Sequence, residues 1–302
     1  MKSIYGIVPP VVTPFDIQGK IETSLLRQDL DFLIHIAKVH GVAVCGSTGE
    51  GHTLNTDETR QITKIAVESA NGEIPVITGI IADSTRAVIE RGKAVADLGV
   101  AALQITPVHY LFRPHDEAMQ SFFAEISESI GLPVIIYNVV PWTYLSPELL
   151  TKIITEEEGV IGVKQSAGDL KMLADLLKQL SDRGVIMSAV DALLYPSFLL
   201  GAHGAIAAVL TAVPQLCIQL WDAVKSEDHV KALDLHHKLL AIWNAILDDN
   251  LPANVKYAME LQGRAAGYPR SPMPPSSQAQ QARIRKAFEG AIGERTSPSR
   301  NH

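Results

Sequence analysis

The stretch "GVIGVKQSAGDL", Gly159 to Leu170, opens as a β-strand without a polar face. Val160, Ile161, Gly162 and Val163 carry no charge, whereas a half-exposed strand alternates apolar and polar residues. A strand apolar on both faces belongs in a parallel sheet covered by helices. Lys164 then ends the run. A charged amine is costly beside a core strand, so its place there asks for a chemical reason.

Working outward, the same pattern recurs along the chain. Strands are expected at Ile7–Val12, Val42–Cys45, Pro75–Gly79, Ala101–Thr106, Pro133–Asn138, Val160–Lys164, Gly184–Ala189 and Gly204–Val209. Between them lie segments such as "TDETRQITKIAVESA" and "STRAVIERGKAVADLG", whose apolar residues recur at the helical period. Asp57 with Glu58, and Asp83 with Ser84, read as helix starts; Gly72, Gly99 and Gly131 read as stops. Eight such units predict an α/β protein, a closed (β/α)8 TIM barrel. A doubly wound open sheet is the alternative, but "PPVVTPF" stands where its glycine-rich turn belongs. After about Pro214 the strand signal ends. The expected division is a barrel over 1–213 and a C-terminal helical extension over 214–302, three helices with a frayed polar tail, "GERTSPSRNH".

With 302 residues, 47% of them hydrophobic, the chain can bury a large core. A net charge of −7 without basic clusters predicts no nucleic-acid surface. Pro9 and Pro10 interrupt any signal-peptide core, and no apolar run is long enough to span a bilayer. The expectation is a cytoplasmic protein with no membrane partner. Cys45 and Cys217 sit in apolar contexts and are expected to be buried free thiols.

Barrel enzymes carry their chemistry at the C-terminal ends of strands. "GSTGEG", "TPVHYLFRP", "YNVVPW", "KQSAG" and "VDALLYP" stand there. Burial disfavours an ammonium, and a neutral lysine amine attacks carbonyl carbon to form a Schiff base. The plain alternative for Lys164 is a side chain that snorkels to the surface. Ser47 and Thr48 sit among glycines whose turn amides suit a carboxylate, or form an ordinary helix-capping turn. Tyr137 and Tyr110 offer proton relays, or hydrogen-bonded core and loop aromatics. The histidines show no metal-ligand spacing, so no metal is expected.

"GSTGEG", "TP" after the fourth strand, "YN" at the fifth and "GVKQSAGDL" at the sixth, in this order, resemble the dihydrodipicolinate synthase / N-acetylneuraminate lyase family. The resemblance extends from "GIVPPVVTPF" to "PANVKYAMELQG" and "PRSPMPP". It implies that Lys164 condenses with pyruvate or another 2-oxo acid, with no metal or organic cofactor. It makes Tyr137 the proton relay, joined by Ser47, and Thr48 with Gly49 the carboxylate site. Tyr110, or His109 in its place, completes a neighbouring subunit's site in a homodimer or homotetramer. Ile206 matches a position whose carbonyl faces the lysine.

Several positions depart from the family pattern. Val140 and Trp142 stand where the synthase branch has a proline and a carboxylate-binding arginine. The sialic acid branch's Asp-Glu pair and serine are represented by Asp191, Ala192 and Ala208. Trp142, Tyr144 and Phe112 would then line a more apolar second-substrate pocket. The resemblance thus implies aldol condensation or cleavage, or dehydration. The alternatives are a 2-keto-3-deoxy sugar acid aldolase or dehydratase, an N-acetylneuraminate lyase-like enzyme, and, from another class, a non-catalytic 2-oxo acid sensor. Thr56, Thr59 and Ala87 replace the residues of a lysine-feedback site. An inhibition curve at millimolar free lysine is therefore expected to be flat.

Overall fold

The computed structural model describes residues 3–293. Of the predicted polar tail, residues 293–302, all but Gly293 lies outside them. Eight parallel strands are present: β1 Gly6–Ile7, β2 Val42–Val44, β3 Val76–Ile80, β4 Ala102–Ile105, β5 Val134–Asn138, β6 Val160–Gln165, β7 Val185–Ser188 and β8 Gly204–Ala205. Sequential strands are neighbours from β2 to β8, and β8 pairs with β1. The ring closes through a bridge of Pro10 to Ala43, where Val11 N donates to Ala43 O and Ala43 N to Pro9 O. The chain is a (β/α)8 TIM barrel with C-terminal helices.

The predicted first strand is cut short because Pro9 and Pro10 have no amide to give to a ladder. The predicted eighth strand ends early because Ala208–Ala212 is helical. The inner face of the ring is packed with Ile4, Val8, Ala43, Ile77, Ala102, Ile135, Met187 and Ile206. The outward faces of the same strands meet the surrounding helices, so both faces are apolar, as the strand sequences require.

Helix starts follow local capping. Asn55, rather than Asp57, caps Thr56–Ala70 in a reciprocal box with Glu58, and Ser84 caps Thr85–Lys93. Gly131 ends Asp116–Ile130 in a left-handed conformation. The long helix expected after Pro214 is two, Pro214–Lys225 and His229–Ile246. Glu227 at φ 60° breaks the chain, and the Asp228 side chain caps the second. With Leu251–Glu260 and Gln278–Ile292 this makes four helices from Pro214 onward among the described residues, where three were expected; they pack on β1, β8 and the helix Ala208–Ala212.

Candidate active site

β5 and β6 bring Tyr137 and Lys164 together. In a strand, neighbouring residues face opposite sides. Ile135 on β5 faces the ring interior, and Tyr137, two residues on, shares its side. Val163 on β6 faces outward, so Lys164 faces inward. The ladder starts with Val134 opposite Val160, then shifts by one residue, so that Ile135 meets Gly162 and Tyr137 meets Lys164. Without this bulge Val163 would sit beside Tyr137 on the inner face and Lys164 would turn outward. Gly162 allows it, because a Cβ there would clash with the Val185 carbonyl. A glycine inside an apolar strand is the sequence signal that could have foretold the irregularity.

Lys164 is 3% exposed, and its Nζ lies 3.7 Å from the centroid of the Tyr137 ring. The Tyr137 hydroxyl donates to Ser47 Oγ at 3.3 Å, across a separation of 90 residues. Phenol, hydroxyl and amine therefore form one cluster at the mouth of the ring. The surface-snorkelling alternative for Lys164 does not describe this burial.

The turn after β2 holds Ser47 and Thr48 in place. Gly51 N donates to Gly46 O and Glu50 N to Ser47 O. Thr13 Oγ1 donates to Gly49 O at 2.7 Å, and a Cβ on Gly49 would approach Val11 O to 2.7 Å. Thr48 is buried and Ser47 half-buried. Glu50, left-handed at φ 55° and wholly buried, fixes the turn to distant chain. Its carboxylate accepts from Lys256 Nζ at 2.7 Å and from Arg270 N at 2.7 Å, and Lys256 Nζ also donates to Tyr268 O. Burial pulls the Lys256 ammonium below its ordinary range, opposed by Glu50. Neither Glu50 nor Lys256 was singled out from the sequence. Their 206-residue separation leaves no local signal.

The loop after β4 is pinned on one side. Asp83 Oδ1 accepts from the amides of His109 and Tyr110 and lies 3.1 Å from His109 Nδ1. His109 is thereby held within its own chain. Tyr110, Leu111 and Phe112 are exposed, Tyr110 by 68%. Trp142, also exposed, donates from Nε1 to His109 O at 2.9 Å. Tyr144 is half-buried; burial raises its phenol, and Tyr137 adds to the effect. Ile206 is fully buried on the inner face, its amide donating to Ser188 O.

Asp191 is buried, and its Oδ1 accepts from Val209 N at 2.7 Å, at the start of the helix Ala208–Ala212. Burial pushes its carboxyl up to about 6, against the opposing pull of that amide and of Lys164. A raised carboxyl is more stable protonated, so ionising it costs stability. That cost is absent below its ordinary value of 3.8 and fully present above about 6. Asp191→Asn keeps the acceptor and removes the charge. It is expected to stabilise the fold by about 1–3 kcal/mol at pH 7. The gain should vanish as pH falls from 6 to 4, read from paired thermal melts.

No group of three or more His, Cys, Asp or Glu side chains placed to hold a metal occurs among the described residues. Nor is any described helix long and apolar enough to cross a membrane. Cys45 and Cys217 are buried free thiols; burial raises Cys45 to about 12 and Cys217 well above its ordinary value.

A buried amine beside a phenol that reaches a serine hydroxyl can form an imine with a keto group and shuttle its protons. Comparison with known proteins agrees with that chemistry. The model of the "Dihydrodipicolinate synthetase family" matches residues 3–291. The 4-hydroxy-tetrahydrodipicolinate synthase of Methanopyrus kandleri is 35% identical over 274 residues, covering 89% of this chain and 90% of that protein. CdNal from Clostridium difficile, solved with mannosamine, aligns with a TM-score of 0.88 at 28% identity, over 96% of this chain and 100% of that one. YagE, a prophage protein of E. coli K12 solved with pyruvate, aligns at 0.91 with 25% identity, over 96% of this chain and 99% of that one.

Proposed function

This chain belongs to the dihydrodipicolinate synthetase family, and from that premise we propose that Lys164 forms a Schiff base with pyruvate or a related 2-oxo acid. The enzyme is a lyase of that family, acting by carbon–carbon or carbon–oxygen bond chemistry. The observation that carries the assignment is the buried Lys164 amine 3.7 Å from the Tyr137 ring, with the Tyr137 hydroxyl on Ser47. The amine attacks the keto carbon, and the imine draws electrons from the adjacent carbon so that a bond there can form or break. Tyr137, with Ser47, moves the protons. Thr48 and the amides around Gly49 take the carboxylate, and the Ile206 carbonyl faces the reacting lysine. The reaction asks for no metal or organic cofactor.

Tyr110 is assigned to the site of a second copy. Its exposed ring, flanked by exposed Leu111 and Phe112 on a loop tied down by Asp83, supports a homodimer or homotetramer. His109, already engaged by Asp83 and Pro107 O, is the poorer choice. Trp142 lines the second-substrate side, where an indole replaces a guanidinium fork and a less hydroxylated partner fits. Asp191 stands there too, but its tie to Val209 suits support of the wall better than direct substrate contact.

Borohydride reduction with pyruvate, followed by peptide mass analysis, tests the reading. A reduced pyruvyl adduct is expected on the Lys164 peptide. An adduct elsewhere, or none, refutes it. A panel of aldehydes and 3-deoxy sugar acids then separates the synthase, aldolase and dehydratase branches. Adduct formation without turnover of any panel member would favour a 2-oxo acid sensor.

A further inference from the structure

Two polar side chains, Gln104 on β4 and Thr106 just past its end, remain unused by this chemistry. Gln104 pairs in register with Gly79 and Ile135, and Ile135 faces the ring interior, so Gln104 does too. Its Nε2 lies 3.4 Å from where a Cβ on Gly46 would stand, directly under the Ser47 turn. Thr106 follows two residues later on the same side. Its amide donates to Ile80 O, continuing the ladder past the strand end. Ile105 pairs with Ile136, so the next level places Thr106 beside Tyr137, whose partner is Lys164.

Gln104 and Thr106 are 1% and 2% exposed. Gln104 Oε1 and Thr106 Oγ1 have no hydrogen-bond partner among the described residues. Each such buried atom, left dry, costs about 1–3 kcal/mol. Two of them on one side of one chain segment, with Cα atoms about 7 Å apart, are spaced so that one water can bridge both. Tyr137 is on the next strand and Lys164 one further, about 10 Å along the sheet, with the Lys164 Nζ lying over the Tyr137 ring.

Resting on the imine reading above, we propose that Gln104 and Thr106 seat the water molecule that leaves when the imine forms and attacks when it is hydrolysed. The Lys164 amine adds to the keto carbon, and one of its protons passes through Tyr137 to the oxygen, giving a carbinolamine. The carbon–oxygen bond then breaks. The oxygen leaves as water with a proton from the Tyr137 hydroxyl, and the remaining N–H proton returns to that hydroxyl. Water moves into the seat between Gln104 Oε1 and Thr106 Oγ1. Hydrolysis reverses every step from the same place. Both residues are positioning residues, acting on the carbinolamine through the water.

A seat that acts on one reversible step leaves a kinetic signature. Losing it slows formation and hydrolysis by the same factor and leaves the equilibrium imine fraction unchanged. Gln104→Met and Thr106→Val keep the volume and remove the polar atom. Borohydride quenches at intervals after mixing with pyruvate give the formation rate. A chase of isotope-labelled adduct with unlabelled pyruvate gives the hydrolysis rate. Both are expected to fall about tenfold in each variant, the effect of one lost hydrogen bond, with the same trapped fraction as the parent. Formation within twofold of the parent, unequal slowing of the two directions, or a reduced trapped fraction overturns the seat. The two variants are independent, so a folding failure in one leaves the other decisive. A parent that traps nothing sinks the imine reading instead; a parent that traps normally beside unaffected variants sinks only the water seat.

Discussion

Lys164→Ala is expected to give a folded protein that traps no pyruvate and turns over on the order of 10⁴-fold more slowly, the scale of losing a covalent nucleophile. No other residue in the cluster can replace an amine that must become an imine nitrogen. Tyr137 and Ser47 carry hydroxyls, and an ester or hemiketal gives no comparable electron sink. Stability should move the other way. The lysine is 3% exposed and lies against an aromatic ring, so removing it takes a polar nitrogen out of a buried surround. A melting temperature equal to or above the parent's, with activity lost, separates a chemical role from a packing role. Lys164→Arg should be as inactive, because a guanidinium remains protonated and cannot attack. Residual turnover within tenfold of the parent in either variant would contradict the imine reading.

Lys256→Met is expected to have the largest effect on stability. Lys256 and Glu50 are 2% and 0% exposed at 2.7 Å, and each makes a further bond, to Tyr268 O and from Arg270 N. Removing one partner strands a buried charge, at about 3–5 kcal/mol. For a chain of this size that is a fall of roughly 10 °C in melting temperature. The loss should reach the site, because Glu50 anchors the turn bearing Ser47 and Thr48. The KM for the 2-oxo acid should rise before kcat falls. Adding Glu50→Gln to Lys256→Met removes the stranded charge while keeping an acceptor for Arg270 N. The double variant should recover part of the lost stability, measured by denaturant unfolding. A double variant weaker than both singles would show that the pair is not coupled as its geometry indicates.

Much of the barrel was legible along the chain. Strand periodicity, uncharged strand runs and intervening amphipathic segments are local properties, and local signals marked eight strands close to their places. The misses were local conflicts. Pro9 and Pro10 shortened β1, and a left-handed Glu227 split a helix whose apolar pattern runs on either side of it. Lys164 was conspicuous because its charge contradicts its neighbours. Asp83 read only as a helix start, yet its carboxylate holds the loop that presents Tyr110. Gln104, inside an apolar strand, broke the same rule as Lys164 and passed unread.

The sequence by itself determined that parallel strands alternate with helices and that a lysine ends the sixth strand. Those follow from residue periodicity and the cost of a charge beside apolar neighbours. It also placed Ser47, Thr48 and Tyr137 at strand ends. Only the tertiary structure decided that these groups meet. A one-residue shift between Val134 and Ile135 turned Lys164 to the level of Tyr137, and ring closure carried Ser47 to its hydroxyl. Burial likewise gave Glu50 a cation 206 residues away and lifted Asp191 to about 6. Register and desolvation depend on which strands and helices lie alongside, and no run of neighbouring residues encodes that.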